Sequence, residues 1–141
     1  MEHPKRRVLG IDFGAKRLGL AVSDRSGTIA QGLALYTRRD LQGDLAHIKA
    51  LIAQYEISRI ILGLPVNMDG SLGAQAQQVL EFEKQLAKLQ IPIELFDERL
   101  TTAEAERVLL SADVRRRKRR NLRDQLSAVL ILQGYLDQQR R

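Results

Sequence analysis

Three carboxylates fall where a charge is costly. Asp12 lies inside an apolar run, RVLGIDF (7–13), between Ile11 and Phe13, and strand alternation puts it on the face shared by Val8 and Gly10. Glu98 ends a second apolar run, Ile93 to Phe96, at the carboxyl edge where ligands collect in open α/β sheets. Asp124 opens the last apolar helical pattern and shares a stripe with Ala128, Ile131 and Tyr135. A charge on a core-facing stripe costs several kcal/mol unless something compensates it. Taken singly, each acid has a local explanation. Asp12 can satisfy backbone amides of the Gly14 turn, Glu98 can pair with Arg99 or serve the next helix, and Asp124 can favour a helix N-terminus. Taken together, three carboxylates converging over a sheet call for a divalent cation. The chain has no cysteine and two histidines, His3 and His47, so the hard oxygen set points to Mg²⁺ or Mn²⁺ rather than zinc.

The elements that must position these acids are readable from period and punctuation. Runs at Arg7–Phe13, Leu18–Val22 and Thr28–Tyr36 read as strands, with the turn DRSG (24–27) making a hairpin of the second and third. Leu45, Ile48, Leu51, Ile52 and Tyr55 recur at helical spacing, and Ile60–Leu64 is a buried strand closed by Pro65. A second helix is expected from Asp69–Ser71 to Pro92, and a short one from a Thr101/Glu104 capping box to about Leu110. The last runs from Asp124 to Leu136. Opening hairpins followed by strand–helix alternation imply an α/β fold with a mixed five-stranded sheet flanked by helices. At 141 residues this is a single domain, 1–141, without internal repeats or linkers.

The charge is concentrated. Net charge is +6, yet residues 115–123, RRRKRRNLR, hold seven basic groups and no acid; the remainder has 16 Lys+Arg against 17 Asp+Glu. Such a cluster attracts polyanions by neutralising phosphates and releasing counterions. Arg115, Arg116, Arg117, Lys118, Arg119 and Arg120 are therefore candidate nucleic-acid contacts, as a basic loop leading to Asp124. A solvated loop, a targeting signal or a membrane-surface patch would give the same composition. Lys16 and Arg17 follow the D-x-G turn and can hold phosphate beside Asp12, or simply form a solvated hairpin turn. The segment GLPVNMDG (63–70) has a fixed shape, in which Asn67 or Asp69 is better placed to cap a helix than to catalyse. Aromatic residues make up 4%, too few for a row of base-stacking platforms.

Several classes are excluded or disfavoured. Without cysteine there are no disulfides, thiolate sites or cysteine nucleophiles. No Walker A spacing or dinucleotide fingerprint is present, and DFG occurs without the other kinase motifs. No 18-residue apolar stretch exists, and the apolar run after MEHPKRR breaks at Asp12, so a cytoplasmic protein without membrane partners is expected. A divalent carboxylate site beside a basic segment suits phosphodiester cleavage by two ions about 4 Å apart.

The blocks DFGAKRLGLAVSD, GLPVNMDGS and FDERLTT, then a basic loop and DQLSAVLILQGYL, occur in that order over roughly residues 5–137. In this the chain resembles the YqgF/RuvX family of ribonuclease H-like proteins. The resemblance implies a ribonuclease H-like fold and a metal-dependent nuclease centre. Its carboxylates correspond to Asp12, Glu98 and Asp124, as catalytic and metal-binding residues, and its basic positions to Lys16, Arg17 and Arg99. Leu126-Ser127 departs from the two small residues common there. The family is named both for Holliday-junction resolution and for 5′-end processing of precursor 16S rRNA. The expected partner is thus precursor rRNA or branched DNA, with ribosomal association in the first case and a homodimer in the second. A nucleic-acid-binding module with merely structural acids, and an actin-like phosphotransferase suggested by D-x-G, are the competing classes. The chain is short for the two lobes of the latter.

Overall fold

The computed structural model describes residues 7–101 and 116–140, with residues 116–125 described by their backbone alone. Strands β1 (Arg7–Phe13), β2 (Arg17–Ser23), β3 (Ala30–Gly32) and β4 (Tyr36–Thr37) are followed by helix α1 (Leu41–Tyr55) and β5 (Ile57–Leu64). Helix α2 (Ala74–Leu86), β6 (Ile93–Asp97) and helix α3 (Arg116–Gln139) follow, with short 3₁₀ turns at Ala87–Leu89 and Glu98–Leu100. The sheet order is β3-β2-β1-β5-β6, with β4 also on β2. A three-residue turn forces β2 antiparallel to β1, whereas the helical crossovers return β5 and β6 parallel to it. The mixed sheet expected from the sequence is present, with six strands instead of five.

The sixth strand comes from dividing the third apolar run. Ala21 pairs with Gly32 and Leu18 with Tyr36, so the register slips by one residue between β3 and β4. One extra residue on the edge strand is a bulge, and it breaks a single run into two short strands. The second helix also starts later than expected. Asp69 and Ser71 belong to a tight loop, in which the Asp69 carboxylate accepts from Ser71 N and Oγ at 2.9 and 2.6 Å. Gly70 turns that loop at φ +87°, and the helix is entered through Gly73.

The last helix starts earlier than expected. Arg116–Gln139 is one helix, so the basic cluster from Arg116 onward is its first turns and Asp124 lies in its interior. Arg, Lys, Leu and Gln are good helix formers, and nothing before Gly134 interrupts the run. The helix expected from Thr101/Glu104 to Leu110 lies outside the described residues beyond Thr101.

Alternation divides the core into two layers. Leu9, Ile11, Phe13, Leu20, Ile60 and Leu62 pack on Ile48 of α1 and on Val79, Phe82 and Leu86 of α2. On the opposite face, Ala21, Ile61 and Phe96 pack on Ala128, Ile131, Leu132 and Tyr135 of α3. Each fully buried Leu or Ile contributes about 1.5–3 kcal/mol. Helix α3 rides close to the sheet: a Cβ on Gly10 would stand 2.8 Å from Leu132 Cβ. Among the described residues, no helix is long and apolar enough to cross a membrane.

Candidate active site

Two of the three carboxylates meet at the carboxyl edge of the parallel strands. Ile11 of β1 pairs with Leu62 of β5, so Asp12 and Gly63 are the next residues on adjacent strands. Gly63 in turn pairs with Phe96 of β6, two residues before Glu98. Glu98 begins a 3₁₀ turn (Glu98–Leu100) closed by Thr101, whose N–H and Oγ1 both donate to the Glu98 carbonyl at 3.1 and 2.8 Å. This turn folds the Glu98 side chain back over the sheet. Its Oε1 lies 2.9 Å from where a Cβ on Gly63 would be, and its carboxyl group is in hydrogen-bond contact with Asp12.

Two carboxylates are both acceptors, so that contact requires a proton or a cation between them. Burial pushes the Glu98 carboxyl above its ordinary value; the contact with Asp12 works against this, and the charge of Asp97 adds to it. Asp12 is flanked in register by Gly19 on β2 and by Gly63, so neither neighbouring strand puts a side chain beside it. A half-buried pair of carboxylates with room beside it suits a hard divalent cation. Among the described residues no third His, Cys, Asp or Glu joins the pair. Asp124 is one helical turn before Ala128, whose carbonyl oxygen lies 3.3 Å from a Cβ built on Gly10. The side chain of Asp124 lies outside the described residues.

Asp12 lines a cleft of about 330 Å³ together with Lys16, Arg17, Gly14 and Gly19. The turn between β1 and β2 thus sets two cations around the same space as a catalytic candidate. Arg99 is placed differently. Its guanidinium grips Asp97, with Nη2 donating to Oδ2 at 2.8 Å and Nε at 3.1 Å, and its Nη1 donates to the Asn67 carbonyl at 3.4 Å. It therefore ties the end of β6 to the Pro65–Gly73 loop while remaining partly exposed. The Arg99 side chain is the main cause holding the Asp97 carboxyl below its usual value. Arg115 and the side chains of Arg116, Arg117, Lys118, Arg119 and Arg120 lie outside the described residues.

Sequence reasoning missed two residues that build this site. Gly63 stands in a motif whose glycines suggested only a fixed loop, yet its missing Cβ is what admits Glu98 and Ile131. Arg38 gave no signal. It donates from Nε to the fully buried Asp44 at 2.8 Å and from Nη1 to the Gly14 carbonyl at 3.1 Å, and it lies 4.6 Å over the Phe13 ring. Arg38 thereby braces the turn carrying Lys16 and Arg17 against α1.

Residues 6–138 match the family model RuvX, described as Holliday junction resolvase. This chain belongs to the RuvX family. Relatives named "Putative pre-16S rRNA nuclease" are 52% identical in Thermoanaerobacter pseudethanolicus, over 95% of this chain and 98% of that one. The relative of the same name in Moorella thermoacetica is 51% identical, over 93% of this chain and 94% of that one. Among solved structures, T. thermophilus RuvC in complex with Holliday junction substrate superposes with a TM-score of 0.61 at 16% identity, covering 95% and 96% of the two chains. The yeast mitochondrial Holliday junction resolvase Ydc2 gives 0.54 at 15% identity, covering 99% and 81%. At those identities the likeness is one of fold, and it makes this RuvX protein ribonuclease H-like, with the mixed sheet and flanking helices described above.

Proposed function

We propose that this RuvX-family chain is a Mg²⁺- or Mn²⁺-dependent endonuclease that hydrolyses phosphodiester bonds and matures the 5′ end of precursor 16S rRNA. The observation that carries the chemistry is the contact of Asp12 with the half-buried Glu98 at the strand edge, beside a cleft that Asp12 lines together with Lys16 and Arg17. The choice of rRNA rests on relatives of about half-identical sequence that carry that name. Asp12, Glu98 and Asp124 would hold the ions. Such ions, when bound, supply an activated water and stabilise charge on the phosphate and leaving oxygen. Lys16 and Arg17 hold the phosphate backbone over Asp12. Arg99 keeps the Glu98 turn and the neighbouring loop in register and offers its exposed edge to the same strand. The basic residues from Arg115 to Arg120 draw the nucleic acid toward Asp124 by phosphate neutralisation. Precursor rRNA as substrate implies a cytoplasmic protein associated with ribosomal particles.

The family description favours a second reading, resolution of four-way DNA junctions. That needs two opposed centres, which a symmetric homodimer supplies. One assay separates the two: the 5′ leader of precursor 16S rRNA and a four-way DNA junction are incubated side by side with Mg²⁺ and with Mn²⁺, the Asp124→Asn protein serving as contamination control. Cleavage of the RNA alone supports maturation. Paired symmetric nicks in the junction support resolution, and cleavage of neither beyond the control sinks the catalytic reading for the isolated protein.

A further inference from the structure

A second cleft opens on the other side of the turn that carries Lys16 and Arg17. Its volume is about 550 Å³, larger than the cleft at Asp12, and Ala15 lines both. The floor is apolar, made by Phe13 and Phe82. One wall is the planar guanidinium of Arg38, 4.6 Å over Phe13 and 5.7 Å from the Phe82 ring. The other wall is α2, which presents the amides of Gln77, Gln78 and Gln85. Gln85 Oε1 is buried and has no hydrogen-bond partner among the described residues.

The charge balance excludes a phosphate here. Arg38 is neutralised by the buried Asp44, and Glu81 on the rim is paired with Lys84 at 3.3 Å, so among the described residues the lining offers a phosphate no uncompensated cation. What remains is a cleft with an apolar floor under the Arg38 guanidinium, edged by amide donors and acceptors. Single-stranded nucleic acid is recognised by this chemistry: bases leave the stack, lie against aromatic or guanidinium planes, and are read along their edges by amides. The amides of Gln77 and Gln78 on exposed helix positions suit a base carrying an exocyclic amine, and glutamine pairs well with adenine.

We infer that the Arg38–Gln78 cleft is a subsite for one unstacked, amino-bearing nucleobase, adenine foremost, of the strand whose phosphates meet Lys16 and Arg17. The inference rests on the nuclease reading and adds base preference to it. Because Ala15 is the shared wall, a strand crossing the turn leaves its backbone on the basic side and delivers a base to the other.

The test is equilibrium binding in Ca²⁺, read by fluorescence polarisation. The probes are oligo(rA) and an abasic ribose-phosphate oligomer of equal length. The wild-type protein should bind oligo(rA) about tenfold more tightly than the abasic probe. Gln78→Trp, which fills the cleft from an exposed helix position, should erase that preference and leave the abasic affinity unchanged. Gln77→Ala/Gln85→Ala, which removes amides without adding bulk, should reduce it in the same direction. A thermal melt of each variant establishes folding. Equal wild-type affinity for the two probes overturns the subsite, as does a preference that survives both variants. Wild-type protein that binds neither probe at low salt overturns the nucleic-acid reading itself, and Lys16→Ala/Arg17→Ala separates the cases by weakening both probes alike.

Discussion

The Glu98 carboxylate stands 2.9 Å from the place a Cβ on Gly63 would occupy, and Ile131 Cδ1 stands 2.5 Å from the same point. One missing methyl therefore lets the acid just past β6 and the apolar stripe of α3 approach the strand that borders Asp12. Gly63→Ala should force both away. We expect a stability loss of about 1–3 kcal/mol in urea unfolding. A larger proportional loss is expected in the stabilisation that Mn²⁺ confers on melting, because Glu98 is the group displaced. Unchanged metal response would mean that Glu98 does not hold the ion.

Asp12→Asn should abolish cleavage while leaving the fold intact, since on the proposed reading it removes an oxygen that would hold the ions, and it relieves the repulsion with Glu98. A variant cutting at the wild-type rate would remove Asp12 from the mechanism. Glu98→Gln should melt higher than wild type in metal-free buffer at neutral pH. The raised pKa of Glu98 means its charged form is disfavoured in the folded state, and that penalty grows as pH rises through the folded pKa. The same variant should lose the rise in melting temperature on adding Mn²⁺.

Asp44 is fully buried and paired with Arg38 at 2.8 Å. Asp44→Ala leaves a partly buried guanidinium unpaired and should cost about 3–5 kcal/mol by denaturant unfolding. A loss under 1 kcal/mol, roughly the value of an exposed pair, would show that the guanidinium finds solvent instead.

Asp24 gives a pH signature. Its carboxylate accepts from the Ile29 and Thr28 amides and from Ser26, which together lower its pKa from 3.8 to about 2. A depressed folded pKa adds stability above the unfolded value that disappears as pH falls through the folded one. The pH-dependent part of the stability gap between wild type and Asp24→Ala should therefore be complete near neutral pH, shrink below 3.8 and vanish below about 2. Unfolding curves across this range check it, and a gap independent of pH would contradict it.

Neutralising Arg116, Arg117, Lys118 and Arg119 should weaken RNA binding across sequences. It should also flatten the plot of log affinity against log salt by about 0.7 for each phosphate no longer neutralised. Unchanged affinity at low salt would remove the start of α3 from the binding surface.

Much of this molecule was determined by short-range rules that act within a segment. Period-two and helical spacing marked five strand runs and the faces of α1 and α3, because side-chain alternation follows directly from backbone geometry. They also placed Asp12 on the face of Val8 and Gly10, and Glu98 past the end of a strand. The acids stood out because a charge on an apolar stripe is costly, whatever the fold. Local rules were weaker where two outcomes differ little in energy. Basic residues fit a loop or a helix, so spacing put the start of α3 at Asp124, inside the helix, and a one-residue bulge in an edge strand leaves no periodic trace.

Only the tertiary structure decided what converges. Asp12 and Glu98 are 86 residues apart, and their contact depends on the parallel register of β1, β5 and β6. Gly63 matters through atoms of Glu98 and Ile131, and Arg38 through Asp44, Gly14 and Phe13, none of them its sequence neighbours. Such roles arise from packing between segments distant in sequence, which composition and spacing do not encode locally. The sheet turns three separate segments into one edge, and the cleft on each side of the Lys16 turn exists only once that edge has formed.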